Sequence, residues 1–403
     1  MDWKLPPENQ VLLDILANEL FDAHREISLE NIDIEKLLQE SRNQTVTAQA
    51  FEGLSFYKNQ IPPIIYGQWS SYAFQQVVHS TNVFFQHKEL HNWLTDINVP
   101  YCILKGCASA HYYPKPYLRC MGDVDFLIST ENVDKATDCL LEQGYISSEK
   151  EHEFHISFYK EQSVLELHLA VSTLPEGEAG DTIREWMEHI IDDAETVNDE
   201  SYGTLKIPCW FHHGLIILIH AQRHLLQSGI GLRHFCDWAV YINRLDSTQR
   251  ALLKERLQKV GLWRMAQILS QTAVLYLGMP NDDLFGDLEI DLCLGIMEDI
   301  MLSGNFGRKD FMHSMSSLVL PDVRESKNSM IRQAFLSLNS IVYSNWPKSK
   351  RLKLILPIGY VYFPLRYAFR SLIGKRDKVK IKDLLTVGSN RRKVYEQLHI
   401  FEI

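Results

Sequence analysis

The hydrophobic period of the chain changes twice, and this change is the strongest constraint on its fold. Apolar residues recur at helical spacing over residues 8–60 and about 68–97, at a spacing of two over 100–172, and at helical spacing again from 211 to about 345. A helix repeats every 3.6 residues and a strand every two. We therefore predict an α+β protein whose strands are YCIL, DVDFLI, HISFYK and SVLELHLAV.

The same pattern divides the 403 residues into four predicted regions. They are an N-terminal helical region (1–98), an α/β core (99–205), a helical domain (206–345) and a basic helical tail (346–403). A helix from about Gln68 to Ile97 should precede the first strand. Its predicted apolar face carries Val77, Val78, Phe84, Phe85, Trp93 and Leu94.

The composition is that of a soluble globular protein, with 45% apolar and 23% charged residues. The N-terminal sequence lacks the features of a secretory signal, and no apolar run reaches the length of about 18 residues that a transmembrane helix needs. We therefore expect a cytoplasmic protein without a transmembrane segment. The seven cysteines form no CxxC pair, which favours reduced structural thiols over disulfides or a zinc site.

Charge is distributed unevenly along the chain, whose formal net charge is −10. From Trp346 onward there are 14 basic and 4 acidic residues, whereas the remainder carries 27 basic and 47 acidic residues. The tail can pack on its own acidic body, or it can bind nucleic acid or an anionic membrane. Because contacts to phosphates need basic surface, the acidic body argues against a large nucleic acid as partner.

Two aspartates interrupt the apolar strand RCMGDVDFLI (119–128). Asp123 and Asp125 are two residues apart, so their side chains point to the same face with Cα atoms about 6.6 Å apart. Burying these charges is costly unless a cation pairs with them. Mg²⁺ prefers carboxylate and phosphate oxygens, and the two carboxylates can converge on one or two such ions.

A third carboxylate lies on the strand VLELHLAV (164–171). Its leucines share one face, which leaves Glu166 and His168 together on the other face. If the two strands are adjacent, Glu166 meets Asp123 and Asp125; otherwise it faces solvent on an edge strand. We expect His168 to be a hydrogen-bonding neighbour of this site rather than a metal ligand.

The order of these motifs resembles a known family. A Lys-Gly turn, a short helix, RxxGDxD with a strand behind it, and a strand carrying E-x-H are similar to uncharacterised bacterial nucleotidyltransferases of the DNA polymerase β-like superfamily. The segment IHAQRHLLQSGIGLRHFCDWAVYI (219–242) is similar to the helices that follow the catalytic domain in that family. The resemblance covers about residues 85–245.

This resemblance implies a small mixed-sheet nucleotidyltransferase core flanked by N-terminal helices and an all-helical domain. It also implies that Asp123 and Asp125 hold Mg²⁺ or Mn²⁺, that Glu166 is the third carboxylate, and that Gly106 lies beside the triphosphate of an NTP. The implied reaction transfers NMP from the NTP to an acceptor and releases pyrophosphate. The acceptor stays open between a small molecule, a protein and an RNA end, as does the oligomeric state.

One departure from the superfamily pattern concerns the first turn, where Lys105-Gly106-Cys107 replaces Gly-Ser or Gly-Gly. Lys105 can supply charge to the phosphates instead, or it can be a solvated residue at the rim of the site. Arg119 can bind phosphate or pair with the aspartates. The missing serine also leaves an alternative function open, that of a catalytically inactive binding module with the nucleotidyltransferase fold.

The helical segment adds two pairs of polar residues at a spacing of four. His220 and His224 can share a helix face, but no glutamate follows His220, so the HExxH zinc motif is absent. We expect them to contribute to packing or to substrate contact. Arg233 and Asp237 can form a helix-surface pair, whereas the family resemblance places them in the lining of a cleft.

Overall fold

The computed structural model describes residues 4–148, 155–171, 174–199, 203–226, 229–305, 309, 342, 346, 356–372 and 381–402. It confirms the α+β class, because helices precede and follow a five-stranded mixed sheet. The helices of the described part are α1 (Pro7–Phe21), α2 (Ile34–Asn43), α3 (Thr47–Leu54), α4 (Pro63–Asp96), α5 (Cys107–Ala110), α6 (Val133–Glu142), α7 (Glu178–Glu188), α8 (Trp210–Leu226), α9 (Leu232–Arg244), α10 (Ser247–Lys259), α11 (Trp263–Leu277), α12 (Ile290–Ser303), α13 (Leu356–Leu372) and α14 (Ile381–Glu396).

The strands of the main sheet are β1 (Tyr101–Ile103), β2 (Val124–Ile128), β3 (Ile146–Ser147), β4 (His155–Lys160) and β5 (Ser163–His168). Their spatial order is β1-β2-β5-β4-β3, with β2 and β5 parallel and the other neighbours antiparallel. All four predicted strands are therefore present. The sequence reading missed β3 and a separate hairpin of β6 (Glu195–Asp199) and β7 (Gly203–Ile207), which are short or carry few apolar residues.

The two faces of the sheet are covered differently. Phe126, Leu165 and Leu167 are fully buried on one face, beneath apolar residues of α4, α6 and β7. On the opposite face Leu127 packs against Ile216 of α8, together with residues from the segment that links α7 to β6. Asp125 lies between Val124 and Phe126 and therefore belongs to this second face. The helical domain consequently packs beside the aspartates.

Helix α4 begins at Pro63, several residues before the predicted start, and ends one residue earlier than predicted. Its predicted apolar face is wrong in part, because Val78 is 42% and Phe85 is 59% exposed. The buried stripe instead includes polar side chains, because the second half of the helix packs against the sheet at β2, the strand that carries Asp125. This stripe consists of Trp69, Ala73, Ser80, Val83, Phe84, His87, Leu90 and Leu94.

The largest hydrophobic core joins α1, α2 and α3 to the helices from α8 to α12 and to residues near the end of the chain. The described end of the basic tail packs on this helical core. Arg391 of α14 lies 2.7 Å from the carboxylate of Asp299 on α12, and Tyr395 and Ile400 are buried. Most of residues 306–355, which span the end of the predicted helical domain and the start of the predicted tail, lie outside the described residues. Within the described part, no helix combines the length and the apolar character that a bilayer span requires.

Candidate active site

The parallel pairing of β2 with β5 brings two of the three predicted carboxylates together. Asp125 and Glu166 are partners in the register of the two strands, and His168 follows on the same face of β5. The ligand atoms of these three side chains all lie within 4.8 Å of one another. His168 Nε2 lies 2.7 Å from Asp125 Oδ1 and 3.6 Å from Glu166 Oε2. His168 thus hydrogen-bonds to Asp125 and lies close to Glu166, and its ring nitrogen is also within the group of possible metal ligands.

Lys105 points its ammonium group at the same oxygen. Its Nζ lies 3.0 Å from Asp125 Oδ1, and the side chain is 29% exposed. Burial alone raises the pKa of Asp125, but Lys105 and His168 outweigh it and hold that pKa well below the usual range. Burial likewise opposes the charge on Lys105, but the surrounding carboxylates outweigh it and raise the Lys105 pKa. The ammonium therefore neutralises the most buried carboxylate of the group.

Gly106 makes this position of Lys105 possible. The glycine follows directly after Lys105, at the turn between β1 and the short helix α5, and its φ is +57°. Residues with a Cβ rarely adopt this conformation. The N–H of Leu104 donates to the carbonyl of Asp125 at 2.9 Å, which fixes the turn against β2.

Asp123 lies immediately before β2 and is half-buried. Burial raises its pKa, and the negative charges of Asp125 and Glu166 raise it further. The opposite shifts of the two aspartates follow from their partners, because Lys105 contacts Asp125 directly at 3.0 Å. A cation near Asp123 would relieve this repulsion.

A cleft of about 430 Å³ opens in front of the carboxylates. One wall belongs to the α/β core and the other to the helical domain, so the cleft lies between the two predicted regions. Its polar lining consists of Thr45, Lys105, Gly106, Ser109, Arg119, Cys120, Asp123, Asp125, His220, Arg233, His234, Asp237 and Asn305.

Arg119 joins the two walls of the cleft. Its Nε and Nη2 each lie 2.7 Å from one carboxylate oxygen of Asp237, forming a buried bidentate ion pair. Tyr113 donates its hydroxyl to the same carboxylate at 2.8 Å. Ser80 of α4 donates to the carbonyl of Arg119 at 2.9 Å. Arg119 therefore pairs with α9 rather than with the aspartates of β2, and it fixes the loop that leads into β2.

Arg233 and Asp237 are both in the cleft lining, as the family resemblance implied, and Asp237 is buried rather than part of a helix surface. Arg233 Nη1 lies 3.4 Å from the carbonyl of Cys120, and Nη2 lies 3.4 Å from Asn305 Oδ1. Burial lowers the pKa of Arg233, and the positive charge of Arg119 lowers it further. A buried guanidinium close to a second positive charge favours binding of an anion.

His220 and His224 lie side by side on α8, with 3.1 Å between their Nε2 atoms. The ring of His234 is centred 5.4 Å from that of His220. Burial lowers the pKa of all three side chains, so they are neutral near pH 7. His220 and His234 line the cleft, and His224 does not.

The sequence reading missed His87 of α4, which lies beneath the turn at Gly106. A Cβ placed on Gly106 would be 3.9 Å from His87 Nε2. The ring is fully buried, and within the described chain neither nitrogen has a hydrogen-bond partner. Burial lowers the pKa of His87 to about 3. The sequence contains a signal for the burial of His87, because this residue is seven positions, or about two helical turns, from both Ser80 and Leu94 and so falls on the buried stripe of α4.

The comparisons with known proteins agree with this geometry. Curated proteins gave no significant match. The model of a family described as uncharacterised nucleotidyltransferase matches residues 30–278, which include β2, β5 and every residue of the cleft lining except Asn305. Because this match covers more than half of the chain, the protein belongs to that nucleotidyltransferase family.

Proposed function

We propose that the protein transfers a nucleoside monophosphate from an NTP to an acceptor in a reaction that depends on Mg²⁺ or Mn²⁺ and releases pyrophosphate. The observation that supports this best is that Asp125 and Glu166 are register partners on the neighbouring parallel strands β2 and β5, with Asp123 immediately before β2, beside a cleft with cationic residues. Family membership supports the class of reaction.

The residues fit a divalent cation. Asp125 and Glu166 offer hard oxygen ligands within 4.8 Å of each other, and Asp123 adds a third carboxylate whose ionisation its neighbours disfavour. Lys105 currently supplies the positive charge that these groups need. Asp123, Asp125 and Glu166 would hold the ion, and when bound it would stabilise the charge that develops on the attacking and leaving oxygens.

The remaining steps fall to side chains of the cleft. Lys105 and Arg233 bind phosphate oxygens, Lys105 as a point charge and Arg233 through its planar guanidinium. The acceptor oxygen forms a bond to the α-phosphorus while the bond to the bridging oxygen breaks and pyrophosphate leaves. Glu166, whose side chain is 23% exposed, accepts the proton of the acceptor. Neutral His220 and His234 line the opposite wall without adding charge.

A second candidate is a catalytically inactive binding module with the same fold. The observation that favours it is the contact of Lys105 with Asp125, because the ammonium takes the place that a cation would need. Such a module would bind a nucleotide without a divalent ion and without releasing pyrophosphate.

Thermal unfolding with each of the four NTPs, with and without Mg²⁺, tests the proposal. A ligand at a hundredfold excess over its Kd stabilises a protein by about 2.7 kcal/mol. We expect one or more NTPs to raise the Tm only when Mg²⁺ is present. The double variant Asp123→Asn/Asp125→Asn should lose this effect and retain its fold.

Asp287→Asn/Asp291→Asn is the matched control, because it removes two aspartates from an exposed segment far along the chain. It should respond to NTP as the wild type does. An equal response in the wild type and in the Asp123/Asp125 variant would exclude the metal site. A response that needs no Mg²⁺, without pyrophosphate release, would favour the binding module.

A further inference from the structure

A second group of potential metal ligands lies outside the lining of the cleft, where α7, β6 and α8 meet. Asp193 belongs to the connection between α7 and β6, Cys209 directly precedes α8, and His212 is in its first turn. Their ligand atoms all lie within 4.8 Å of one another. Cys209 Sγ is 3.4 Å from His212 Nδ1, and Asp193 Oδ2 is 3.9 Å from the same nitrogen.

The other nitrogen of His212 determines how the ring is protonated. His212 Nε2 lies 3.0 Å from the carbonyl oxygen of Trp186, and because a carbonyl can only accept, Nε2 carries the hydrogen. With its hydrogen on Nε2, the neutral ring presents the lone pair of Nδ1 toward Cys209 and Asp193. Metal-binding histidines usually donate their second N–H in this way, which fixes the ring orientation.

This arrangement differs from a nucleophilic cysteine triad. In such a triad the thiol and the carboxylate engage opposite nitrogens of the imidazole. Here Cys209 and Asp193 both face Nδ1, and a backbone carbonyl takes the other nitrogen. The three donor atoms therefore converge on one point instead of forming a proton relay.

The spacing of the donors suits a tetrahedral metal. Zinc bonds of about 2.3 Å to sulfur and 2.0–2.1 Å to nitrogen place two tetrahedral ligands about 3.5 Å apart. The observed separation of Sγ and Nδ1 is 3.4 Å.

We propose that Asp193, Cys209 and His212 bind a Zn²⁺-class metal ion, with a fourth position open to solvent beside Asp193. The side chain of Asp193 is 56% exposed, whereas that of His212 is buried, so an ion has access from one side. Bound metal would fasten the connection between α7 and β6 to the start of the helical domain. This site is independent of the proposed nucleotidyl transfer.

Titration of the reduced protein with Co²⁺ tests the site. Cobalt bound to a thiolate gives a charge-transfer band in the near ultraviolet, and the ligand set of Asp125, Glu166 and His168 has no sulfur with which to produce it. We expect one equivalent of Co²⁺ to give this band and Zn²⁺ to abolish it. Cys209→Ser should lose the band, and Asp193→Asn should weaken Co²⁺ binding by at least the roughly 10-fold that loss of a group beyond the direct ligands costs.

Two controls make the result specific. Cys139→Ser removes a thiol from α6, outside this cluster, and should keep the band. Asp123→Asn/Asp125→Asn should also keep it, so that failure of one proposal is separable from failure of the other. Because Asp193 is largely exposed, its variant should fold. Absence of the band at equimolar Co²⁺, or an unchanged band in Cys209→Ser, would overturn the proposal.

Discussion

Two side chains lie within hydrogen-bonding distance of Asp125 Oδ1. Lys105 Nζ lies 3.0 Å from it and His168 Nε2 lies 2.7 Å from it. A divalent ion that binds Asp125 must therefore replace the ammonium of Lys105 as the nearest positive charge. The ammonium, once released, is next to the cleft and can pair with phosphate oxygens.

Lys105→Met should separate the two roles of Lys105, which are to neutralise Asp125 and to bind phosphate oxygens. Since a hydrogen bond to a charged group contributes about 1.5 to 3 kcal/mol, we expect NTP binding to weaken by roughly 10- to 100-fold, with much less effect on NMP. Mg²⁺ alone should bind more tightly to the variant, because the competing cation is gone. Calorimetric titration with NTP, NMP and Mg²⁺ measures all three affinities.

Lys259→Met serves as the control, because Lys259 pairs with Glu255 on the exposed surface of α10. Unchanged NTP affinity in Lys105→Met would mean that Lys105 is a rim residue. The triphosphate would then have to be bound by other cationic groups of the cleft, of which Arg233 is the first candidate.

At this scale the sequence predicted the residues that depend on local spacing. Alternation along β2 and β5 was enough to place Asp125, Glu166 and His168 on a common face. It could not predict the partner of Arg119, because Asp237 is 118 residues away along the chain. That contact depends on how the helical domain packs against the sheet.

Among elements, the contact between the loop before β2 and α9 has the strongest expected effect on stability. Arg119 and Asp237 are both about 5% exposed and form two hydrogen bonds. Breaking a buried ion pair leaves an uncompensated charge and costs about 3–5 kcal/mol, whereas replacing both partners by apolar residues is often nearly neutral.

Asp237→Asn should therefore lower the free energy of unfolding by about 3 kcal/mol or more. Arg119→Met/Asp237→Leu should recover much of this loss, because neither charge remains buried. Urea denaturation of both variants measures the difference. Glu255→Gln, which breaks an exposed pair on α10, should leave the urea midpoint unchanged. A double variant that is no more stable than Asp237→Asn would contradict this account.

The sequence predicted a strand or helix correctly where a single hydrophobic pattern runs through the whole element. The strands β1 and β2 are continuous apolar runs apart from Asp125, and β4 and β5 alternate between apolar and polar residues over part of their length. Helix α4 was harder, because it packs on helices in its first half and on the sheet in its second. Its buried stripe therefore contains polar Ser80 and His87, and some of its apolar residues face solvent.

Across the whole molecule, several histidine side chains are buried and neutral. Burial lowers the pKa of His87 and His213 to about 3 and that of His224 to about 4. Burial also lowers the pKa of His220 and His234 well below the ordinary value. Their pKa values are lower in the folded than in the unfolded protein, so their contribution to stability is present above about pH 6.5 and is lost as the pH falls.

We expect the free energy of unfolding to decrease between pH 7 and pH 5. Each fully buried histidine should contribute a loss of about 2 kcal/mol at pH 5, because the unfolded side chain binds a proton that the folded one excludes. His168 opposes this trend, since its carboxylate partners raise its pKa against the effect of burial. The larger number of histidines with lowered pKa determines the net sign.

Urea denaturation at pH 7, 6 and 5 measures the effect, and His213→Phe isolates one contribution. This ring stacks on Tyr112 with 5.0 Å between the centroids, so phenylalanine preserves the contact and removes the titrating group. The variant should lose less stability on acidification than the wild type. An identical pH dependence in both proteins would show that His213 does not take part.

The contact between α1 and α11 affects how the chain can fold during its synthesis. Arg25 donates to the carbonyl of Tyr276 at 2.8 Å, and the apolar side of α1 packs in the core that also contains Val394 and Leu398. Helix α1 can pack on α2 and α3 soon after it is made, but the part of its apolar surface that meets α11 stays uncovered until α11 has been translated. Exposed apolar surface of this kind favours aggregation of a partly synthesised chain.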